Sequence, residues 1–410
     1  MAFSFVHTAD IHLDSPLKSL ALRDAELAEM VANASRTTFA RIIDLCLAEQ
    51  VQALLIAGDL YDGAQTSMKT AGFLARQLER LDAAGIETFI IRGNHDAASR
   101  ITRELVLPDS VHVFGGRAGV EERDWNGQPV ALHGISFAKP HAPDSLLEKF
   151  GTPRPGAFNI GMLHTSLGGS PGHDPYAPCT LAELQATGFD YWALGHIHKR
   201  AQHSGPTTVV MPGVPQGRDI GEAGEKSVTL VRVDQGSVTT EARPLAVARF
   251  DRLDVDCNGL ADWTDLVRAL KAALRVVDPG DTQRIIRPVL SGVTPLAWRA
   301  GRDAELLLEE ARSEAEGTDG LWIDKLTLAL QAEGNAAPAG PVGELMEMIA
   351  QTPLSPKDPR VQAEYELLRK QLPTELRDIF GADEADTAAT LTEDLAKGAR
   401  DLLSRLDGEG

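Results

Sequence analysis

The chain has 410 residues, 43% of them hydrophobic, and a formal net charge of -19 at pH 7. This length and composition indicate a globular protein of two or three domains and exclude a disordered chain. A chain with this much negative charge is poorly suited to bind a polyanion by its own surface charge. A nucleic-acid substrate would therefore need metal ions or a basic partner to supply the attraction.

Strands and helices are predicted to alternate through the first hundred residues. Short apolar runs predict strands at residues 3–8, 53–57 and 88–91. Apolar residues at helical spacing predict helices at residues 36–49 and at about 67–84, the second ending before Gly85. This alternation favours an α/β fold with a largely parallel sheet.

Shorter strands are predicted to follow, at residues 111–114, 130–135, 159–163 and 191–194, with a short helix at 180–186. Two β-rich runs at residues 227–233 and 237–243 flank Asp234-Gln235-Gly236 and predict a hairpin. These elements belong with the first hundred residues to one domain, which we place at residues 1–245.

Three further segments are predicted after that domain. Residues 250–330 alternate strand and helix patterns, which indicates a small α+β domain. Residues 331–341 are rich in Gly, Ala and Pro and are predicted to form a linker. Residues 342–410 form an acidic, helical pattern whose apolar stripes suggest docking of a partner.

Five predicted strands are followed directly by polar residues of metal-binding type. Because strand carboxyl ends in an α/β sheet converge on one crevice, these residues are expected to meet there. The i, i+2 spacing of two of the pairs points both side chains into that crevice. Two metals sharing Asp59 are therefore predicted, with mixed ligands that suit Mn²⁺, Fe²⁺ or Zn²⁺ better than Ca²⁺. The residues are Asp10, His12, Asp59, Asn94, His95, Asp96, His164, His196 and His198.

The order of these motifs resembles the calcineurin-like metallophosphoesterases. Asp-x-His, Gly-Asp, Gly-Asn-His-Asp, a single His and Gly-His-x-His follow one another along the chain. The first two motifs, in His7–Leu13 and Ala57–Asp62, look similar to the SbcD-type nucleases of double-strand-break repair. The stretches Gly172–Cys179 and Tyr191–His198 resemble a YhaO-type bacterial subgroup. The resemblance covers about residues 3–245 and implies a four-layer αββα sandwich. Residues 250–330 have only an architectural likeness to the family's smaller α+β capping domain, and the helical C-terminal segment is predicted from its sequence pattern alone.

The resemblance also implies a role for each site residue. Metal one would be held by Asp10, His12, Asp59 and His198, and metal two by Asp59, Asn94, His164 and His196. A hydroxide between the metals would attack phosphorus, and His95 would protonate the leaving oxygen while Asp96 fixes its tautomer. Manganese is the first choice of metal in this branch. Asp14 stands where many nucleases of the branch have Gly, which could alter substrate entry.

The implied activity is that of a metal-dependent phosphodiesterase, an exonuclease or endonuclease acting on DNA. The resemblance implies an SMC-like ATPase partner of SbcC type. The chain has no G-x-x-x-x-G-K-[ST] motif of its own, which fits a need for such a partner. A homodimer through helices near residues 66–110 is also implied. Two alternatives remain: a phosphoesterase for a small nucleotide or phosphoprotein, and a non-catalytic scaffold of a repair complex.

The three cysteines, Cys46, Cys179 and Cys257, have no CxxC spacing, which argues against a disulfide framework or a thiolate metal site. His7 and Asp10 interrupt the N-terminal apolar stretch, so no signal peptide is expected. No apolar run approaches the roughly 20 residues of a membrane span. We therefore expect a cytoplasmic protein that does not engage a membrane.

Overall fold

The structure is a computed structural model. It describes residues 2–15, 25–61, 67–98, 107–168, 176–331 and 355–371, together with single positions and short stretches between 344 and 398. The chain divides into two compact units, residues 1–251 with 280–285 and residues 252–279 with 286–410. Among the described residues, no helix is long and apolar enough to cross a membrane.

The first unit contains twelve complete strands in its described part. In chain order they are β1 (Ala2–Thr8), β2 (Ala53–Ala57), β3 (Glu87–Ile91), β4 (Val111–Val113), β5 (Gly119–Trp125), β6 (Gln128–Gly134), β7 (Phe158–His164), β8 (Tyr191–Gly195), β9 (Ala201–His203), β10 (Thr208–Met211), β11 (Ser227–Asp234) and β12 (Ser237–Pro244). Its helices are α1 (Ala25–Glu49), α2 (Met68–Ala83) and α3 (Leu181–Ala186).

The strands form two six-stranded sheets. The first has the order β12-β11-β1-β2-β3-β4 and the second the order β5-β6-β7-β8-β10-β9. Strands β1 to β4 are parallel, as are β6, β7 and β8. Parallel neighbours direct their carboxyl ends to the same edge, so each sheet delivers its strand ends to one side.

Three apolar layers hold the first unit together. Side chains of β1, β2 and β3 pack against those of β5 to β8, as in the edge-on contact of Phe5 with Tyr191 at 5.2 Å between ring centroids. On the outer face of the first sheet, Phe39 of α1 and Leu74 of α2 belong to a second cluster. Leu184 of α3 belongs to a third cluster, on the second sheet. The predicted αββα sandwich is therefore confirmed.

In the first unit, the strand predictions missed β5, β9 and β10. Strand β5 carries four charged residues, so its apolar alternation is weak, yet it pairs with β6 across Asn126-Gly127. The φ angles of these two turn residues are both positive, 57° at Asn126 and 80° at Gly127. A two-residue hairpin turn of this kind requires positive φ at both positions. The Asn-Gly dipeptide was thus the sequence signal for this hairpin.

A small four-stranded sheet with its own core lies mostly in the second unit. Strands β13 (Ala248–Asp256), β14 (Gln283–Val293) and β15 (Leu321–Ile323) lie in that order, and β16 (Thr327–Gln331) pairs with β14. Helices α4 (Trp263–Arg275), α5 (Ala297–Arg302) and α6 (Ala304–Ala315) contribute leucines and alanines to one apolar cluster with the strands.

Several predictions fall on residues for which the structure gives little or no description. Apart from Gln331, the predicted linker at residues 331–341 lies outside the described residues, and so does most of the predicted segment 342–410. Within that segment the structure describes helix α7 (Pro359–Gln371). In the region 66–110 invoked for a homodimer, α2 and β3 are described, whereas residue 66 and residues 99–106 are not.

Candidate metal centre

Three predicted ligands form what we call the first ligand cluster: Asp10 and His12, which follow β1, and His198, which follows β8. One ligand atom from each lies within 4.8 Å of the others. The Nε2 atoms of His12 and His198 are 3.3 Å apart. Asp10 and His12 are buried, whereas the His198 side chain is 32% exposed.

A second ligand cluster consists of Asp59, His164 and His196, which come from the ends of β2, β7 and β8. One ligand atom of each again lies within 4.8 Å of the others. His164 Nε2 is 3.2 Å from Asp59 Oδ2 and 3.1 Å from the side-chain oxygen of Asn94. The structure thus places Asn94, from the loop after β3, at this second cluster.

The two clusters are adjacent and hydrogen-bonded to each other. The backbone N–H of His196 donates to both carboxylate oxygens of Asp10, at 3.1 and 3.0 Å. The ring centroids of His164 and His196 are 5.2 Å apart. Strand ends from both sheets of the sandwich therefore meet at one site, where a single crevice of one sheet had been predicted.

Four of the cluster residues have a backbone conformation that non-glycine residues seldom adopt. The φ angles are 53° at Asp10, 45° at His12, 52° at Asp59 and 100° at His196. Such conformations cost on the order of 1–3 kcal/mol each and persist where the surrounding structure enforces them. Their concentration here marks these strand ends as a site built for function.

Glycines beside the second cluster leave room for its side chains. A Cβ atom on Gly58 would lie 2.3 Å from His164 Nδ1, and one on Gly93 would lie 2.2 Å from Asp59 Oδ1. A Cβ on Gly195 would lie 2.1 Å from the Ala57 carbonyl oxygen. The glycine in each of the Gly-Asp, Gly-Asn-His and Gly-His motifs therefore gives the ligands space that any larger residue would occupy.

The exposed residue His95 lies at the same site, with its ring centroid 4.9 Å from that of His12. Its backbone N–H donates to Asp59 Oδ1 at 3.0 Å, which fixes the loop after β3 against the second cluster. A molecule approaching the site from solvent can therefore reach this residue.

The carboxylate of Asp96 is buried among backbone groups. It accepts hydrogen bonds from the N–H groups of Leu60, Tyr61 and Gly93, at 3.0, 2.8 and 3.3 Å. Asp96 therefore joins the loop after β2 to the loop after β3. The role predicted for it, fixing the tautomer of His95, stays a prediction.

Asp14, two residues beyond His12, is tied to the outer helices. Its two oxygens accept from Arg36 Nε and Nη2, each at 2.6 Å, and the Thr70 hydroxyl also donates to it. Its backbone N–H donates to the Ser35 hydroxyl oxygen at 3.1 Å. Since Arg36 is on α1 and Thr70 on α2, Asp14 holds the loop of the first cluster against both helices.

The tautomers of two ligand histidines are set by their partners. His164 Nδ1 is 2.9 Å from the Ala57 carbonyl oxygen, which can only accept a hydrogen bond. His198 Nδ1 is 2.7 Å from Glu222 Oε1, a carboxylate acceptor. A proton on each Nδ1 makes Nε2 the nitrogen that faces the cluster, as metal-ligating histidines require. Glu222 was missed by the sequence reasoning, since no motif surrounds it.

Charge balance shifts the pKa values of the buried groups. Burial opposes ionisation of both Asp59 and His164, but their attraction outweighs it, lowering the pKa of Asp59 and raising that of His164 to about 9. Burial and the nearby charge of His164 lower the pKa of His196 to about 3. Burial, reinforced by the Asp59 charge, raises the pKa of Asp96. The pocket therefore stabilises positive charge beside Asp59, which a metal cation could supply in place of a proton.

The donor chemistry of the clusters fits a pair of divalent transition-metal ions. Carboxylate, imidazole and amide groups are brought together without a thiolate, and all three cysteines are free and buried. Such mixed O and N donors suit Mn²⁺, Fe²⁺ or Zn²⁺.

Comparison with known proteins places this site in a family. The calcineurin-like phosphoesterase family matches residues 3–200, and the middle domain of metallophosphoesterase YhaO matches residues 250–331. An uncharacterized metallophosphoesterase, YhaO of Bacillus subtilis strain 168, is 32% identical over 363 residues, covering 86% of this chain and 88% of that protein.

Two relatives with names from DNA repair and nuclease action match over shorter lengths. The DNA double-strand break repair protein Mre11 of Methanocaldococcus jannaschii is 27% identical over 48% of this chain and 51% of its own length. The SbcD component of the nuclease SbcCD from Rhodobacter capsulatus is 36% identical over 27% of this chain and 26% of its own length. The chain thus spans about half of the first of these relatives and a quarter of the second.

The sandwich, the two ligand clusters and these matches lead to one assignment. The chain belongs to the calcineurin-like metallophosphoesterases, in the YhaO/SbcD-type branch of that family.

Proposed function

We propose that this protein hydrolyses phosphodiester bonds in DNA and that it uses two divalent cations, with Mn²⁺ preferred. The observation that carries the proposal is the pair of adjacent ligand clusters at the strand ends. Support for DNA as substrate comes from the relatives named for double-strand break repair and for a nuclease.

Each cluster would hold one cation. The first would be held by Asp10, His12 and His198, and the second by Asn94, His164 and His196, with Asp59 reaching both. Bound cations would neutralise charge on the phosphate and activate water for attack on phosphorus. The buried carboxylates and the fixed Nδ1 protons would orient the ligand atoms before any cation arrives.

His95 would act on the leaving group. Its ring lies beside His12 in an exposed position, while its backbone is fixed to Asp59, so one ring nitrogen can carry a proton to a departing oxygen. General acid catalysis of this kind contributes roughly 10²- to 10⁴-fold to a rate. Asp96 would assist by holding the loop that carries His95 in place.

The net charge of -19 favours a partner for DNA binding. We propose an SMC-like ATPase of SbcC type, docking on the acidic segment 342–410, and a homodimer through the region 66–110. In this scheme residues 1–245 are the nuclease domain and residues 250–330 are the small α+β domain that corresponds to the family's capping domain. Three free, buried thiols suit a reducing, cytoplasmic compartment.

The proposal is tested with linear duplex DNA, single-stranded DNA, a chromogenic phosphodiester and the matching monoester, each with Mn²⁺, Mg²⁺ or Zn²⁺. Mn²⁺-dependent cleavage of DNA is expected. A His95→Asn variant should lose roughly 10²- to 10⁴-fold in kcat and keep its bound metal. His203→Asn, which changes a half-buried histidine on edge strand β9, serves as the control. Full activity in His95→Asn would contradict the role given to that residue.

The acidic surface favours a second candidate, a phosphoesterase for a small nucleotide or another small phosphoester. Such a substrate carries few charges and would be repelled less than duplex DNA by a chain of this charge. Faster turnover of the small phosphodiester or monoester than of either DNA, with no stimulation by a basic partner, would select this candidate.

A further inference from the structure

We propose that Glu222 is a positioning residue for the first ligand cluster, fixing the ring orientation and tautomer of His198. This inference rests on the proposed metal function of that cluster. Glu222 ends a 3₁₀ turn, Ile220–Glu222, and lies 24 residues from His198 along the chain.

Two groups lie close to His198 Nδ1, and the shorter contact decides its proton. Glu222 Oε1 is 2.7 Å away, whereas Arg218 Nη2, which can only donate, is 3.2 Å away. An ionised carboxylate can only accept a hydrogen bond. Both oxygens of Glu222 accept hydrogen bonds from Arg218, as those of an ionised carboxylate do. The proton shared with Glu222 therefore resides on Nδ1, and Nε2, 3.3 Å from the Nε2 of His12, faces the cluster.

The carboxylate of Glu222 is itself held firmly. The backbone N–H of Arg218 donates to Oε2 at 2.8 Å, and Nη2 of the same residue donates to Oε1 at 2.7 Å. Glu222 is only 11% exposed at its side chain, whereas His198 is 32% exposed. The more exposed ligand is thus oriented by a more buried, doubly fixed acceptor.

The segment that carries Glu222 also contacts the backbone carbonyl of His198. The N–H of Val214 donates to the His198 carbonyl oxygen at 3.1 Å. Gly213 has a φ of 73°, and a Cβ there would lie 2.6 Å from the same oxygen. Residues 213–222 therefore hold His198 at both its carbonyl and its ring, which a chance surface ion pair would not do.

The first test is the ¹⁵N NMR spectrum of the histidine rings in the wild-type protein freed of metal by a chelator. His198 signals are assigned by their loss in His198→Gln. In the neutral ring we expect the proton on Nδ1 and none on Nε2. A neutral wild-type ring with its proton on Nε2 and none on Nδ1 would overturn the inference without recourse to any variant at Glu222.

The second test compares Glu222→Ala with Glu225→Ala, which removes the same charge from an exposed position on the same segment. Mn²⁺ binding is measured by titration calorimetry. In Glu222→Ala we expect one Mn²⁺ to bind about 10- to 100-fold more weakly, the usual loss for such a partner, and the Nδ1-protonated form to decline. Glu225→Ala should match wild type.

Wild-type affinity for both ions and an unchanged tautomer in Glu222→Ala would refute the role of Glu222. Should the alanine variant not fold, Glu222→Gln keeps the side-chain volume and should show a smaller shift in the same direction. If the proposed function were wrong, the wild-type protein would fail to bind Mn²⁺ or to cleave DNA. The tautomer of His198 in the metal-free protein tests the role of Glu222 without depending on Mn²⁺ binding or on DNA cleavage.

Discussion

The two ligand clusters are held in place by different means. In the second cluster, His164 is fully buried and hydrogen-bonded to the backbone carbonyl of Ala57. Three glycines lie close to its ring: Gly58, Gly93 and Gly195. In the first, His198 is partly exposed and is oriented by the side chain of Glu222 from a separate segment. One cluster is thus enforced by backbone packing and the other by a side-chain hydrogen bond, so the two should respond differently to substitution.

The largest effect is expected where backbone packing is disturbed. In Gly195→Ala the new Cβ would overlap the Ala57 carbonyl oxygen and lie 2.9 Å from His164 Nδ1. Overpacking of this kind costs about 1–3 kcal/mol, and the second cluster should lose its cation. Chemical denaturation and metal analysis measure both. Gly151→Ala, where nothing lies within 4 Å of the added Cβ, is the control. Wild-type stability and metal content in Gly195→Ala would refute the tight packing.

Asp96→Asn tests the link between the loops of the second cluster. The amide offers one acceptor oxygen, whereas both carboxylate oxygens accept from backbone N–H groups. Leaving a buried donor unpaired costs about 1–3 kcal/mol. We expect a lower free energy of unfolding and weaker metal binding at the second cluster. The exposed Asp109→Asn should change neither, and equal behaviour of the two variants would contradict the linking role.

Asp14→Asn tests whether the hydrogen bonds of Asp14 with helices α1 and α2 support the first cluster. The φ angle at Asp14 is 62°, and asparagine tolerates such a conformation. The substitution therefore keeps the backbone but removes the charge-assisted pair with Arg36 and one of the two oxygens that accept from Arg36 and Thr70. The Arg36 side chain is 30% exposed, so solvent screening reduces the expected cost to about 1 kcal/mol. Metal titration should show slightly weaker binding at the first cluster alone. A larger loss of metal affinity at the second cluster would contradict the conclusion that Asp14 supports the first cluster.

The smallest effect is expected away from both clusters. Thr180 caps α3 in a reciprocal arrangement with Glu183, whose side chain accepts from the Thr180 backbone N–H. Thr180→Ala should lower the free energy of unfolding by about 0.5–1 kcal/mol and leave Mn²⁺ binding intact. Calorimetric melting with a parallel metal titration checks this. If Thr180→Ala also lost its metal, any destabilisation of the protein would be enough to release the metal. Metal loss in the other variants would then say nothing about how each cluster is held.

Much of the fold was predictable because its signals are local. Apolar runs ending in Gly-Asp or Gly-His identified β2 and β8 as strands. The helix predicted at 67–84 is α2, Met68–Ala83, and the predicted hairpin is β11 and β12. The sandwich followed from the resemblance to the family. Strand β5 was missed because its charges hide the alternation.

What was not predictable depends on contacts between distant parts of the chain. No periodicity places Glu222 beside His198, since the pairing arises only when the segment after β10 folds back. The sequence also does not predict the positive φ angles at Asp10, His12 and Asp59. Non-glycine residues avoid positive φ unless the surrounding structure enforces it. The hydrogen bonds of Asp96 with three backbone amides are equally a product of the folded loops.

Two cations are proposed to lie side by side at these strand ends, and every role given to the site residues depends on them. Diffraction from Mn²⁺-soaked crystals, recorded at the manganese absorption edge, tests this directly. Two anomalous peaks are predicted, one contacting Asp10, His12 and His198 and the other contacting Asp59, His164 and His196. No peak at either cluster, or manganese bound elsewhere on the protein, would contradict the two-cation site.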